Sequence, residues 1–128
     1  MAYSTSTNIN LQTPESAKTA LKVFFNIMDE WHICDTDQIT LLGKPSQCVF
    51  NKWKCGEANT LDMATLERIS YVIGIYKNLR LLFSEKEQAN AWVHKPNEAF
   101  EGNLALDLML SGNTSQLQAV RQYLDEQL

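Results

Sequence analysis

The side chains with the widest chemical repertoire lie between His32 and Cys55. His32, Cys34, Cys48 and Cys55 carry the right atoms for a zinc site. Structural zinc sites bring their ligands in close pairs such as C-x-x-C. No such pair exists here, and Cys48 and Cys55 stand seven residues apart. An odd number of thiols in a chain read as leaderless points to reduced cysteines, buried or idle, and not to a disulfide framework. Metal ligation is not expected. Acid–base chemistry finds no better support. Glu85, Glu87, Glu98 and Glu101 come nearest to paired carboxylates, but helix starts and solvated faces account for them. His94 suits a helix C-terminus, where an imidazole meets the negative end of the dipole. No Gly-rich phosphate loop follows a strand. The expectation is a protein with no catalytic residue, no cofactor and no enzymatic activity.

Reading nucleic acid is the chemistry that the same stretch does suit. Gln38 to Gly56 carries Lys44, Lys52 and Lys54 and no acid, while the segments on either side are net acidic and the whole chain is at −4. A basic island of this size can meet phosphates when a protein dimerises. Within it, Phe50 and Trp53 have the spacing that holds a helix on a core. That directs Gln47, Cys48, Asn51 and Lys54 outward, with Ser46 at the helix start. Gln and Asn bond adenine through two atoms at once. Lys44, Lys52 and Lys54 suit phosphates. Val49 fits either the core or a thymine methyl. The candidate DNA-binding set is therefore Lys44, Ser46, Gln47, Cys48, Asn51, Lys52 and Lys54. Three lysines used twice by a dimer neutralise up to six phosphates, so the log–log salt slope would be at most about −5.

These side chains need short helices to carry them. Asp35 or Thr36 caps a helix through Leu42 with Ile39 and Leu42 inward, and Gly43 ends it. Lys44-Pro45 makes the turn, because the residue before proline avoids the helical region. Ser46 caps the next helix, to about Cys55, and Gly56 closes it. Two short helices around a Gly-containing turn form a helix-turn-helix. Ahead of it, Thr13-Pro14-Glu15 opens a helix whose stripe is Ala17, Leu21, Phe24, Phe25, Met28 and Trp31. Behind it, Thr60 or Asp62 opens a long helix with a wide apolar face from Leu66 to Phe83. Gly74 on that helix permits a close helix contact. Ser84-x-x-Glu87 has the form of a capping box for a helix to about His94. A short helix from Asn103 to Leu110 and a last one capped by Asn113 or Thr114 complete the chain. Strand-like alternation is absent throughout.

Composition sets the outer limits. At 128 residues and 45% hydrophobic, the chain makes one domain or one helical unit with an appended module. It lacks an apolar run of roughly 18 residues, so no span of a membrane is expected. Met1 to Thr13 has neither the basic nor the apolar region of a signal peptide and reads as a frayed tail. Cytoplasmic localisation follows as the expectation.

The wider pattern resembles a bacterial antitoxin family. Gln38-Ile39-Thr40-Leu41-Leu42-Gly43 with Phe50-x-x-Trp53-x-x-Gly56 is similar to that family's Xre-like helix-turn-helix. Leu66-Glu67-Arg68-Ile69, Val72 to Tyr76 and Leu79 to Phe83 resemble the helix that follows. Ala91-Trp92-Val93, Pro96-Asn97, Phe100-Glu101-Gly102 and Leu106 to Gly112 resemble the C-terminal toxin-binding domain of the Xre/ParS/MbcA antitoxins. The similarity runs from about Leu21 to Leu124. It implies an all-α fold: a flexible tail at 1–13, an Xre-like helix-turn-helix bundle with its long linking helix at 14–83, and a small helical toxin-binding domain at 84–128. It also implies a cognate toxin of the RES type, which consumes NAD or transfers ADP-ribose from it. Homodimers that repress their own promoter are implied too. Within that frame the toxin-facing residues are expected on the final helices, with Gln118, Arg121, Gln122 and Asp125 as candidates. Asn97 braces its loop, Gly102 supplies a turn, and Trp92 sits in the core. One departure stands out. Family members often carry proline soon after the glycine matched by Gly102, whereas this chain has Asn103-Leu104-Ala105, with Asn103 as the alternative cap. A stand-alone transcriptional regulator, or an antitoxin whose helix-turn-helix does not bind DNA, are the competing readings.

Overall fold

The computed structural model describes residues 14–58 and 61–128. Thr13, the expected 1–13 tail and Thr60 lie outside the described residues. Among the described residues seven α-helices follow one another: α1 (Pro14–Trp31), α2 (Asp35–Leu41), α3 (Gln47–Lys54), α4 (Met63–Leu82), α5 (Lys86–Ala91), α6 (Ala105–Met109) and α7 (Thr114–Gln127). Short 3₁₀ turns at Trp92–His94 and Glu98–Phe100 fill the stretch between α5 and α6. Among the described residues there is no strand, only a single antiparallel bridge between Pro96 and Leu104. No described helix is long and apolar enough to cross a membrane. The all-α expectation holds.

Helix α4 is the axle of the fold. Leu66, Ile69, Val72, Ile75 and Leu79 are buried along it, and it packs on α7 on one side and α1 on the other. From α1 come Ala17, Leu21, Phe24, Met28 and Trp31, all fully buried, and from α7 come Leu117, Val120 and Leu124. One continuous core results, joining the front helices to the back ones. Three- and four-residue apolar spacing on each helix creates these stripes. At roughly 1.5–3 kcal/mol per buried large apolar side chain, they supply the main stabilising term.

The expected helix-turn-helix forms. The Lys44 N–H bonds the Ile39 carbonyl at 2.8 Å and the Gly43 N–H bonds that of Thr40 at 3.1 Å. This closure needs positive φ at Gly43 (94°), which glycine accepts without cost, and at Lys44 (63°), where a side chain makes it costly. Ser46 Oγ accepts from the Val49 N–H at 3.2 Å and starts α3. Asp62 starts α4 in the same way, through Thr65 at 2.8 Å.

Other helix starts differ from expectation. Cys34 occupies the cap of α2 without a side-chain bond, so neither Asp35 nor Thr36 caps it. Gln38 is buried and Ile39 only half-buried. The amide of Gln38 donates to the Ile33 carbonyl at 2.8 Å, which lets a polar side chain sit inside. Glu85, not Ser84, holds the cap position of α5, and the capping box does not form. Leu104 replaces Asn103 at the start of α6, with its N–H held by the Asp107 carboxylate at 3.3 Å. Asn97 does brace its loop, accepting from the Ala99 N–H at 2.9 Å.

Candidate functional site

Two surfaces hold the residues singled out by chemistry. The first is the outward side of α3. Phe50 is buried and Trp53 half-buried beneath the helix. Gln47, Cys48, Asn51 and Lys52 are all exposed and line one shallow concavity together with Cys55 and Glu57. Gln47 Nε2 donates to Asn51 Oδ1 at 3.0 Å, which aligns the two amides on one face. The remaining amide hydrogens and the Gln47 carbonyl oxygen stay available to a base edge. Ser46 and Lys44 are exposed at the start of the helix and in the turn before it. Val49 is 37% exposed and so belongs to the surface, not to the core.

Lys54 departs from this set. Its ammonium sits 4.8 Å from the Phe25 ring centroid and 5.8 Å from that of Phe50. Asp35 lies 3.9 Å from it. Cation–π attraction and the carboxylate turn the side chain toward α1 and off the outward face. The three thiols, Cys34, Cys48 and Cys55, are exposed and not buried. Cys48 and Cys55 are separated by about 10 Å along the helix axis, beyond the reach of a disulfide.

The second surface lies where α7 crosses α4. Gln118, Arg121, Gln122 and Asp125 converge on one concavity, as their three- and four-residue spacing requires, and Tyr71 of α4 completes it. Sequence reasoning misses Tyr71, because it reaches this place only through the packing of two distant helices. Its hydroxyl donates to Glu67 at 3.4 Å. Burial, followed by the charge and hydrogen bond of Glu67, raises the Tyr71 hydroxyl pKa. Asp125 accepts from the buried Asn78 amide at 2.6 Å. Arg121 lies across Gly74, where a Cβ would stand 2.6 Å from its Nε. The close contact expected at Gly74 is thus filled by a guanidinium. Asp125 and Arg121 anchor the concavity, and Gln118 and Gln122 are its exposed rim.

Elsewhere in the back half Trp92 and Tyr123 stack with centroids 6.3 Å apart, and Phe100 meets both rings edge-on. All three are half-buried. Trp92 is therefore at the margin of the core and not within it.

A polar lock joins α1 to the back of the molecule. Glu30 accepts from the Tyr76 hydroxyl at 2.9 Å and the Asn90 amide at 3.3 Å, and Lys86 is 3.5 Å away. Burial works against ionising Glu30, but the Tyr76, Asn90 and Lys86 contacts outweigh it and the carboxyl titrates below its usual range. His94 Nε2 donates to the Trp31 carbonyl at 2.6 Å. The helix terminus it serves is that of α1, not its own.

Residues 78–127, which carry α7, the aromatic trio and all four candidates on the second surface, match the profile of the antitoxin Xre/MbcA/ParS C-terminal toxin-binding domain. An uncharacterised protein of Sinorhizobium fredii, y4oB, is 46% identical to this chain over 107 residues, which cover 84% of this chain and 82% of that protein. The chain belongs to the Xre/MbcA/ParS antitoxin family. The toxin-binding match of this antitoxin begins at Asn78, inside α4, so the helix that carries the core of the front unit also enters the family's C-terminal domain. Likeness to the S. fredii protein extends well beyond that domain.

Proposed function

We propose that this antitoxin neutralises a RES-type toxin, an enzyme that consumes NAD or transfers ADP-ribose from it, and that a cytoplasmic homodimer also represses the promoter of the pair. The single observation that carries the toxin half is the family match over 78–127, on a segment that presents Gln118, Arg121, Gln122 and Asp125 together with Tyr71. In this reading residues 14–83 are the DNA-facing unit and 84–128 the toxin-facing one. No residue is given a catalytic or cofactor role. Co-expression with the adjacent reading frame tests it. Rescue of growth arrest and co-purification are expected, and failure of both sinks the toxin half.

The DNA half rests on the outward amides of Gln47 and Asn51 and the cations Lys44 and Lys52. A dimer places two recognition helices roughly 34 Å apart, one DNA turn. With Lys54 engaged by Phe25 and Asp35, two lysines per protomer remain, so the salt slope is no steeper than about −3.6. Substitution Asn51→Ala removes an amide donor and the acceptor that aligns Gln47, so it should weaken promoter binding about tenfold, the worth of one two-atom base contact by the pair, and leave toxin binding intact. The placement of Lys54 over Phe25 favours one competing reading, a helix-turn-helix used only for packing. That reading predicts no gel shift with the protein's own upstream DNA.

A further inference from the structure

Between α1 and α3, on the flank of the helix-turn-helix, lies a cavity of about 380 Å³ that shares only Cys55 with the outward concavity of α3 and nothing with the second surface. Its lining includes Lys18, Lys22 and Lys54, and no acidic residue. Phe25 and Trp53 add aromatic surface to the same lining. The volume falls within the range of small-molecule sites, roughly 300–1,000 Å³.

The cations are distributed in a telling way. Lys54 already lies on the Phe25 ring and beside Asp35. Lys18 and Lys22 are exposed, and among the described residues neither has a carboxylate within ion-pair distance. They stand four residues apart on α1, so their ammonium groups project from one face one turn apart. Two adjacent like charges repel, and Glu15, three residues before Lys18 on the same helix, offsets only the first of them. In a chain of net charge −4, this is a place where positive charge gathers in excess.

We infer that this cavity is a binding site for a small amphipathic anion, with a flat apolar body against Phe25 and Trp53 and a carboxylate, sulfonate or phosphate head on Lys18 and Lys22. The two halves of the site select for both properties at once. A bare phosphate finds the cations but leaves the aromatic surface wet. A neutral ring covers that surface but leaves the two ammonium groups repelling. A bound ligand also ties α1 to α3 and so raises the stability of the folded chain in proportion to its occupancy.

The test is a fluorescence titration of the full-length protein with anilinonaphthalene sulfonate, with the neutral N-phenylnaphthylamine and inorganic phosphate as comparisons. Amide shift mapping by NMR locates the dye. Saturable binding is expected, with shifts centred on Lys22, Phe25 and Trp53. Substitutions Lys18→Ala and Lys22→Ala, on an exposed helix face, should each weaken the dye roughly three- to tenfold. Lys77→Ala, elsewhere on the surface, should leave it unchanged. The inference is overturned if the neutral analogue binds as tightly, if phosphate competes as well as the dye, if neither lysine substitution matters, or if the shifts map to another face.

Discussion

Arg68 donates from Nη2 to the Gly112 carbonyl at 2.8 Å, across 44 residues of sequence. The same guanidinium packs against the helix-turn-helix, since a Cβ on Gly43 would stand 3.1 Å from its Nε. One side chain of α4 therefore touches both the turn before α3 and the turn before α7. A charged donor on a backbone acceptor is worth about 1.5–3 kcal/mol. Arg68→Ala should cost that much in urea unfolding, seen as a lower midpoint at unchanged slope. Arg68→Lys should recover only part of it, because a single ammonium cannot reproduce the planar fork. An alanine variant as stable as the parent would remove this bridge from the account.

Gly74 and Arg121 set two effects against each other. Alanine is favoured over glycine inside a helix by about 1 kcal/mol. A Cβ at this position, however, would stand 2.6–2.9 Å from the Nε, Cζ and Cδ of Arg121. Those atoms are the far end of a flexible side chain, which swings aside at small cost, so stability should change by less than about 1 kcal/mol in either direction. Toxin binding should respond differently, because Arg121 would leave the concavity it shares with Tyr71 and Gln118. Calorimetry of Gly74→Ala beside its toxin affinity separates the two. An unchanged affinity would take Arg121 out of the contact surface.

How far the sequence reveals these features depends on the range of the interaction. Ser46, Asp62 and Asn97 are legible because each closes its cap bond within three residues. Asn103 misleads because its backbone is committed elsewhere. Its N–H bonds Phe100 and its carbonyl accepts from Asn97, so the cap position passes to Leu104. Helical spacing places Gln118, Arg121, Gln122 and Asp125 on one side of α7, but not Tyr71, which joins them only when α4 packs there. Lys54 likewise sits near the outward face by periodicity, and the Phe25 ring from another helix pulls it away. Gln38 is polar, and its burial depends on the Ile33 carbonyl that meets its amide.

Acid should loosen the lock at Glu30. Its folded-state pKa lies below the ordinary 4.5, because Tyr76, Asn90 and Lys86 outweigh the burial that works against the charge. A carboxyl lowered on folding contributes stability that is present above its unfolded pKa and is lost as pH falls through its folded one. Denaturation midpoints should therefore decline as pH drops below about 4.5. Glu30→Gln keeps an acceptor for Tyr76 and removes the titration, so its decline should be shallower over the same window. Parallel curves for the two proteins would show that Glu30 is not a source of acid sensitivity.

Removing residues 84–128 looks like a simple way to isolate the helix-turn-helix unit, but the packing argues otherwise. Leu117, Val120 and Leu124 are at most 1% exposed, and their helix α7 makes the most extensive contact with α4 of any element. At roughly 1.5–3 kcal/mol each, these three side chains alone account for about 5–9 kcal/mol of burial. A domain of this size has only about 5–15 kcal/mol of net stability. Deletion also uncovers the face of α4 on which Asn78 meets Asp125. A chain ending at Phe83 should be unfolded or aggregated, with low helicity by circular dichroism and no cooperative melting transition. Loss of DNA binding by that fragment would then report unfolding and not the removal of a DNA contact. A truncated protein that melts cooperatively would show instead that α1 to α4 form an independent unit.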